Sequence, residues 1–299
     1  MKFRLLGLLA PLTLLAACGR PAPAAAVSLR VVAEFYPLYV DLLNVADGVP
    51  GVQVANLVPT AVGCPEGYQL SPQDLRTLST ANVLVVNGAG LENYLGKVAA
   101  QYPQLTIVDA NAGQDLLKTG GELNPHLWVS PAQAARQVQT IAAALAAADP
   151  VHAAMYTRNG EAYAARLAAL AAQFRTVLAH APIRRLVAFH DSLPYLARDL
   201  GLEIIAVIEP APGQNPSARE LADVAARVRS APGPVALLTE LDSKNPAAEI
   251  LSRELRQPVY CLDTVTAGPL DPAAAKDAYL RAMDKNLAVL ATALGVKQP

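Results

Sequence analysis

From Leu29 onward, short β-branched runs alternate with segments of helical period. Residues 29–33 form an apolar run of strand length, 35–45 carry a helical pattern, and 52–58 predict a second strand that Pro59 closes. Ser71 and Pro72 then open a helix in the N-cap and first-turn positions, with Asp74 inside its first turn. Residues 83–86 predict a third strand, 91–102 a helix and 106–108 a fourth strand. Strands separated by helices need crossover connections, so the pattern predicts a parallel sheet.

The same order returns in the second half. Residues 186–189, 203–208, 235–239 and 259–262 predict strands, with helices over 193–200 and 217–228, and Pro210 closes the second of these strands. Val32 and Val187, Pro59 and Pro210, Asn87 and Glu240, and Asp109 and Asp263 make pairs roughly 150 to 155 residues apart. Such an offset predicts two copies of one α/β unit. Between them, Ser130-Pro131 caps a helix running to about Ala147, Asp149-Pro150 interrupts it, and 151–179 continue in Ala, Leu, Arg, Gln and Glu with only Gly160 as a weak point. About 28 helical residues would reach some 40 Å at 1.5 Å each. The fold class is therefore α/β: two lobes, each a parallel sheet flanked by helices, joined by one long rigid helix. The first lobe spans 29–148, the linking helix 149–181 and the second lobe 182–299.

Composition sets limits on this picture. The 299 residues are 53% hydrophobic and 16% charged with a net charge of -1, which suits a globular body and gives no electrostatic basis for binding nucleic acid. Lys2 and Arg4 precede an apolar run over 5–17, too short to span a bilayer and of signal-peptide length. Leu15-Ala16-Ala17-Cys18 resembles the lipobox of bacterial lipoproteins, in which the cysteine becomes the lipidated N-terminus. Residues 1–17 thus read as a signal peptide and 18–28 as a Pro/Ala-rich tether, placing the body outside the cytoplasm on a lipid anchor at Cys18.

In open parallel sheets the ligand site lies beyond the carboxyl ends of the strands. Four strand-end loops carry chemistry there. Glu66 lies in Cys64-Pro65-Glu66-Gly67-Tyr68, and His126 in Asn124-Pro125-His126-Leu127-Trp128, where the prolines on either side, Pro125 and Pro131, restrict the backbone. His190 follows Val187-Ala188-Phe189, and Asp263 follows Tyr260-Cys261-Leu262. Two imidazoles and two carboxylates, two from each half, form a four-ligand set for a divalent transition metal. His152 and His180, on the linking helix and at its end, stand outside that set.

With these residues, Glu34-Phe35-Tyr36-Pro37-Leu38 and Val85-Val86-Asn87-Gly88-Ala89-Gly90-Leu91-Glu92, the chain resembles the metal-binding solute-binding lipoproteins of bacterial ATP-binding-cassette importers for zinc and manganese. The resemblance covers essentially the whole chain after the signal peptide. It implies two α/β lobes joined by a long helix, with His126, His190 and Asp263 at three ligand positions and Zn2+ or Mn2+ as the ion. It also implies a membrane permease as partner and no catalysis, and a monomer is expected. The fourth position departs from the family, which usually has a Pro-His pair where this chain has Pro65-Glu66. Either Glu66 ligates and hardens the site toward manganese, or water takes its place. The His-rich loop common in zinc-specific members is missing, since 111–123 hold no histidine.

Cys64 and Cys261 each stand two residues before an expected ligand, one per lobe, and could form an inter-lobe disulfide. Alternatively, one thiolate binds the metal in place of Glu66. Two other functions compete with metal capture: a zinc hydrolase with three ligands, water and Glu66 as base, and a surface adhesion protein with a vestigial site. The chain carries no His-Glu-x-x-His and no Gly-x-Ser-x-Gly.

Overall fold

The computed structural model describes residues 27–209, 216–241 and 246–297. The signal peptide, Cys18 and Pro210 lie outside the described residues. In the first lobe, β1 (Leu29–Ala33), β2 (Val52–Asn56), β3 (Val83–Val86) and β4 (Thr106–Asp109) form a parallel sheet in the order β2-β1-β3-β4. The helices between them are α1 (Tyr36–Val45), α2 (Pro72–Ser79) and α3 (Leu95–Gln101). A hairpin follows, β5 (Lys118–Thr119) with β6 (Glu122–Leu123), then α4 (Pro131–Ala148) and α5 (Ala153–Leu178).

The second lobe repeats the plan. Its strands β7 (Arg185–His190), β8 (Glu203–Glu209), β9 (Val235–Glu240) and β10 (Val259–Leu262) are parallel in the order β10-β9-β7-β8. Between and after them lie α6 (Pro194–Leu200), α7 (Ala218–Ser230), α8 (Pro246–Leu255), α9 (Pro272–Ala275) and α10 (Ala278–Ala293). In both sheets the spatial order is second, first, third, fourth strand, so the expected repeat is present in the topology itself. The sequence pattern missed the hairpin, α8, α9 and α10.

Local chemistry explains most boundaries. Ser71 Oγ accepts the Asp74 amide while the Asp74 carboxylate accepts the Ser71 amide, a capping box that starts α2; Ser217 and Glu220 do the same for α7. Val83 to Val86 are all buried, as expected for a strand covered on both faces. The linking helix α5 is 26 residues, and its buried positions Tyr156, Gly160, Tyr163, Leu167, Leu170 and Phe174 recur at three- and four-residue spacing along one face. That face packs on α4, where a side chain at Gly160 would meet the Ala142 Cβ at 2.4 Å. One apolar core runs through both lobes without a break, from Val31 and Leu38 through Ile141, Leu167 and Phe174 to Leu186, Leu287 and Leu290. No helix among the described residues is long and apolar enough to cross a membrane.

Candidate metal centre

Each lobe turns the carboxyl ends of its strands toward the other, and the loops that leave those ends carry the chemistry. His190 is the last residue of β7, and His126 immediately precedes a single 3-10 turn, Leu127–Val129, that leads into α4. The two rings meet edge to face with centroids 5.0 Å apart, and their Nε2 atoms are separated by 3.3 Å. Glu66 Oε2 lies 3.9 Å from His190 Nε2, is buried, and has no hydrogen-bond partner. Cys64 Sγ is 3.7 Å from His126 Nε2, and the donor atoms of Cys64, Glu66 and His126 all fall within 4.8 Å of one another.

Hydrogen bonds to the other ring nitrogens orient both imidazoles. Asn124 Nδ2 donates to the Asp191 carbonyl at 2.9 Å and to its carboxylate at 2.7 Å, which leaves Asn124 Oδ1 to accept the His126 amide at 3.0 Å and His126 Nδ1–H at 3.3 Å. His190 Nδ1 faces the Glu209 carbonyl at 3.3 Å, which can only accept. Both protons therefore sit on Nδ1, an assignment made from these acceptors, and both Nε2 lone pairs point into the cleft. Burial, followed by the neighbouring His190, holds the His126 imidazole well below its usual pKa, so it is neutral. Burial likewise raises the Glu66 carboxyl, with His190 opposing the shift, and raises the Asp191 carboxyl against its bonds to Thr119 and Asn124.

Behind His126, Asn87 is fully buried and donates from its side chain to the Pro125 carbonyl at 2.9 Å, while its amide donates to Glu34 Oε2 at 3.0 Å. Trp128 packs at 5.1 Å from the His126 ring and edge-on to Phe35 at 4.8 Å. The Ser130 hydroxyl does not cap α4 as the sequence suggested. It donates instead to Asp199 Oδ2 of the second lobe at 2.6 Å, where Gln133 joins it at 2.8 Å; Pro131 alone supplies the helix start.

Of the four expected ligands, the structure brings Glu66, His126 and His190 together. The tightest three-donor group among the described residues is Cys64, Glu66 and His126, to which neither His190 nor Asp263 belongs; Asp263 Oδ1 accepts the Val265 amide at 2.7 Å, and its own amide donates to Asn286 Oδ1 at 2.9 Å. The expected disulfide is not formed, and Cys64 and Cys261 are both free. Period-two alternation explains it: Leu262 points into the core, so Cys261 points to solvent from the edge strand β10, whereas Cys64 packs inward beside His126. His152 bonds Asp149 at the start of α5, and His180 is exposed. Sequence reasoning missed Asn124, whose position two residues before His126 was the available signal, and Glu240, a strand-end carboxyl on β9 close enough to raise both Glu66 and Cys64 electrostatically.

Residues 31–293 match the family described as zinc-uptake complex component A, periplasmic. Among individual proteins, the high-affinity zinc uptake system protein ZnuA of Bacillus subtilis (strain 168) is 26% identical over 306 residues, covering 95% of each chain. The zinc-binding lipoprotein AdcA of Streptococcus pneumoniae serotype 4 is 27% identical over 280 residues, 88% of this chain and 55% of AdcA. The solved structure of the solute-binding protein FpvC from Pseudomonas aeruginosa in complex with Mn2+ superposes with a TM-score of 0.79 at 31% identity, covering 89% of this chain and 98% of FpvC.

Proposed function

The chain belongs to the periplasmic zinc-uptake component A family, and from that premise we propose that its inter-lobe cleft captures a divalent transition metal, zinc or manganese, outside the cytoplasm and delivers it to the permease of an ATP-binding-cassette importer. The observation that carries this reading is the pair of Nε2 lone pairs 3.3 Å apart. Two acceptors facing each other across that distance repel unless a cation lies between them. Two nitrogens bound to one tetrahedral zinc at about 2.0–2.1 Å stand about 3.3–3.4 Å apart. His126 and His190 are therefore spaced as ligands already, with their tautomers fixed for the task. Glu66 supplies the third donor through its buried Oε2, and Asp263, directly after β10, is a further carboxylate.

Capture and release complete the protein's work, and it acts as a monomer. The chain is lipidated at Cys18 after removal of residues 1–17, leaving 18–28 as the tether; the name of AdcA as a lipoprotein supports this anchor. Residues 29–148 and 182–299 are the two lobes and 149–181 the link. The test is elemental analysis of the purified protein with zinc and manganese titrations of wild type and of the His126→Ala/His190→Ala double variant. One ion per wild-type chain and none on the double variant is the expected result. Retention of one ion by the double variant overturns the site, and turnover of an ester or peptide by the metal-loaded wild type would favour the hydrolase.

A further inference from the structure

We propose that Cys64 is itself a metal ligand, and that its thiolate makes the cleft selective for a sulfur-seeking borderline ion, zinc above manganese. The proposal rests on the metal-capture reading and narrows it. Geometry is the first ground. A sulfur at about 2.3 Å and a nitrogen at about 2.0–2.1 Å on one tetrahedral ion lie about 3.6 Å apart; Cys64 Sγ and His126 Nε2 are 3.7 Å apart. The same His126 nitrogen is also 3.3 Å from His190 Nε2. Glu66 completes the group, with its donor atom inside the 4.8 Å cluster and its Oε2 lacking any hydrogen bond.

Chemistry is the second ground. His126 Nδ1–H is directed at Asn124, so the contact with Nε2 has the thiol proton as its donor. As the sulfur–metal bond forms, that proton leaves to solvent and the cation takes its place against the Nε2 lone pair. One thiolate and one carboxylate then balance the two positive charges of the ion, and the half-buried site holds a neutral complex. Asp263 is not needed for that balance, and its Oδ1 is bonded to the Val265 amide. A thiolate among two imidazoles and a carboxylate favours zinc over the harder manganese ion.

Cobalt(II) reports the bond directly, because a sulfur ligand adds a near-ultraviolet charge-transfer band to the visible ligand-field bands. Purified wild type titrated with Co2+ is expected to show both, Cys261→Ser to show both, and Cys64→Ser to keep the ligand-field bands while losing the charge-transfer band. Zinc K-edge absorption fine structure of the wild type should place one sulfur at about 2.3 Å, and Cys64→Ser should lose about tenfold or more of the zinc-over-manganese preference. Wild type that binds Co2+ without the charge-transfer band, or zinc without a sulfur neighbour, overturns the proposal and leaves metal capture standing. Wild type that binds neither ion overturns both.

Discussion

The indole Nε1 of Trp128 donates to the Thr264 carbonyl at 2.9 Å, so the only tryptophan in the chain ties the His126 loop of the first lobe to the loop after β10 in the second. Tyr279 of α10 closes the loop on the other side by donating to the Trp128 carbonyl at 2.7 Å. Trp128→Phe keeps an aromatic body beside Phe35 and removes only the donor. Leaving the buried Thr264 carbonyl without it should destabilise the protein by about 1–3 kcal/mol, read as a lower denaturant midpoint with an unchanged slope.

Asn124 Oδ1 accepts the His126 amide and the His126 Nδ1–H and so orients the ring. Asn124→Ala is expected to lower zinc affinity about 10–100-fold, the range for losing a partner that fixes a ligand's tautomer. Competition against a chelator of known affinity measures it. An unchanged affinity would show that the Asn124 to Asp191 bridge is structural only.

Zinc binding should appear as thermal stability. At a thousandfold excess over its dissociation constant a ligand adds about 4 kcal/mol to the folded state, so the wild-type melting temperature should rise by several degrees with zinc. His126→Ala should abolish most of that rise, and its metal-free melting temperature should itself be lower, because the ring is buried against Trp128.

Asp41 is buried in α1, and burial pushes its carboxyl well above the usual aspartate range. Tyr163 of α5 and Tyr279 of α10 both sense its charge. The folded chain thus holds this proton to higher pH than the unfolded chain does. Stability from this group is greatest below the unfolded value of about 3.9 and falls as pH rises toward the folded value. Asp41→Asn should remove that slope, so the variant's melting temperature relative to wild type should be higher at pH 8 than at pH 5.

At Gly160, α5 lies so near α4 that an added Cβ would meet the Ala142 Cβ at 2.4 Å. Alanine there gains about 1 kcal/mol of helix propensity but drives a methyl into Ala142, a conflict that costs about 1–3 kcal/mol in a packed core. With a contact of 2.4 Å the steric side should prevail, and Gly160→Ala should melt a few degrees lower. A higher melting temperature would mean that the helices can part.

The history of Gly160 shows what pattern alone can and cannot supply. Composition marks it as a flaw in a helix, whereas packing makes it the fit between two helices. The strands were legible because β-branched runs bounded by Pro and Gly leave little choice, and the repeat because topology preserves spacing. His190 stood out in the sequence as a strand-end residue and Glu66 as an acid on a Pro-fixed loop, whereas His126 leads into a 3-10 turn and does not end a strand of the sheet. Side-chain direction was not: the face on which Cys261 lies depends on the register of β10 against β9, and the target of Ser130 depends on Asp199, 69 residues away. The helix α8 escaped although Asn245-Pro246 and Glu249 offer a start signal in the sequence, whereas α10 follows α9 closely and has no side-chain cap to mark its start.

The unbroken apolar core has a consequence for how the protein discriminates between ions. Because α1, α4, α5 and α10 give their buried faces to one shared interior, neither lobe can swing away without exposing it, and the chain should unfold in a single transition. The jaws of this clip are therefore set at a fixed gauge. Whatever tolerance the cleft has for ions of different radius resides in the short loops around Glu66, His126 and Asp263, so exchanging those loops between relatives should exchange their ion preference while the scaffold stays the same.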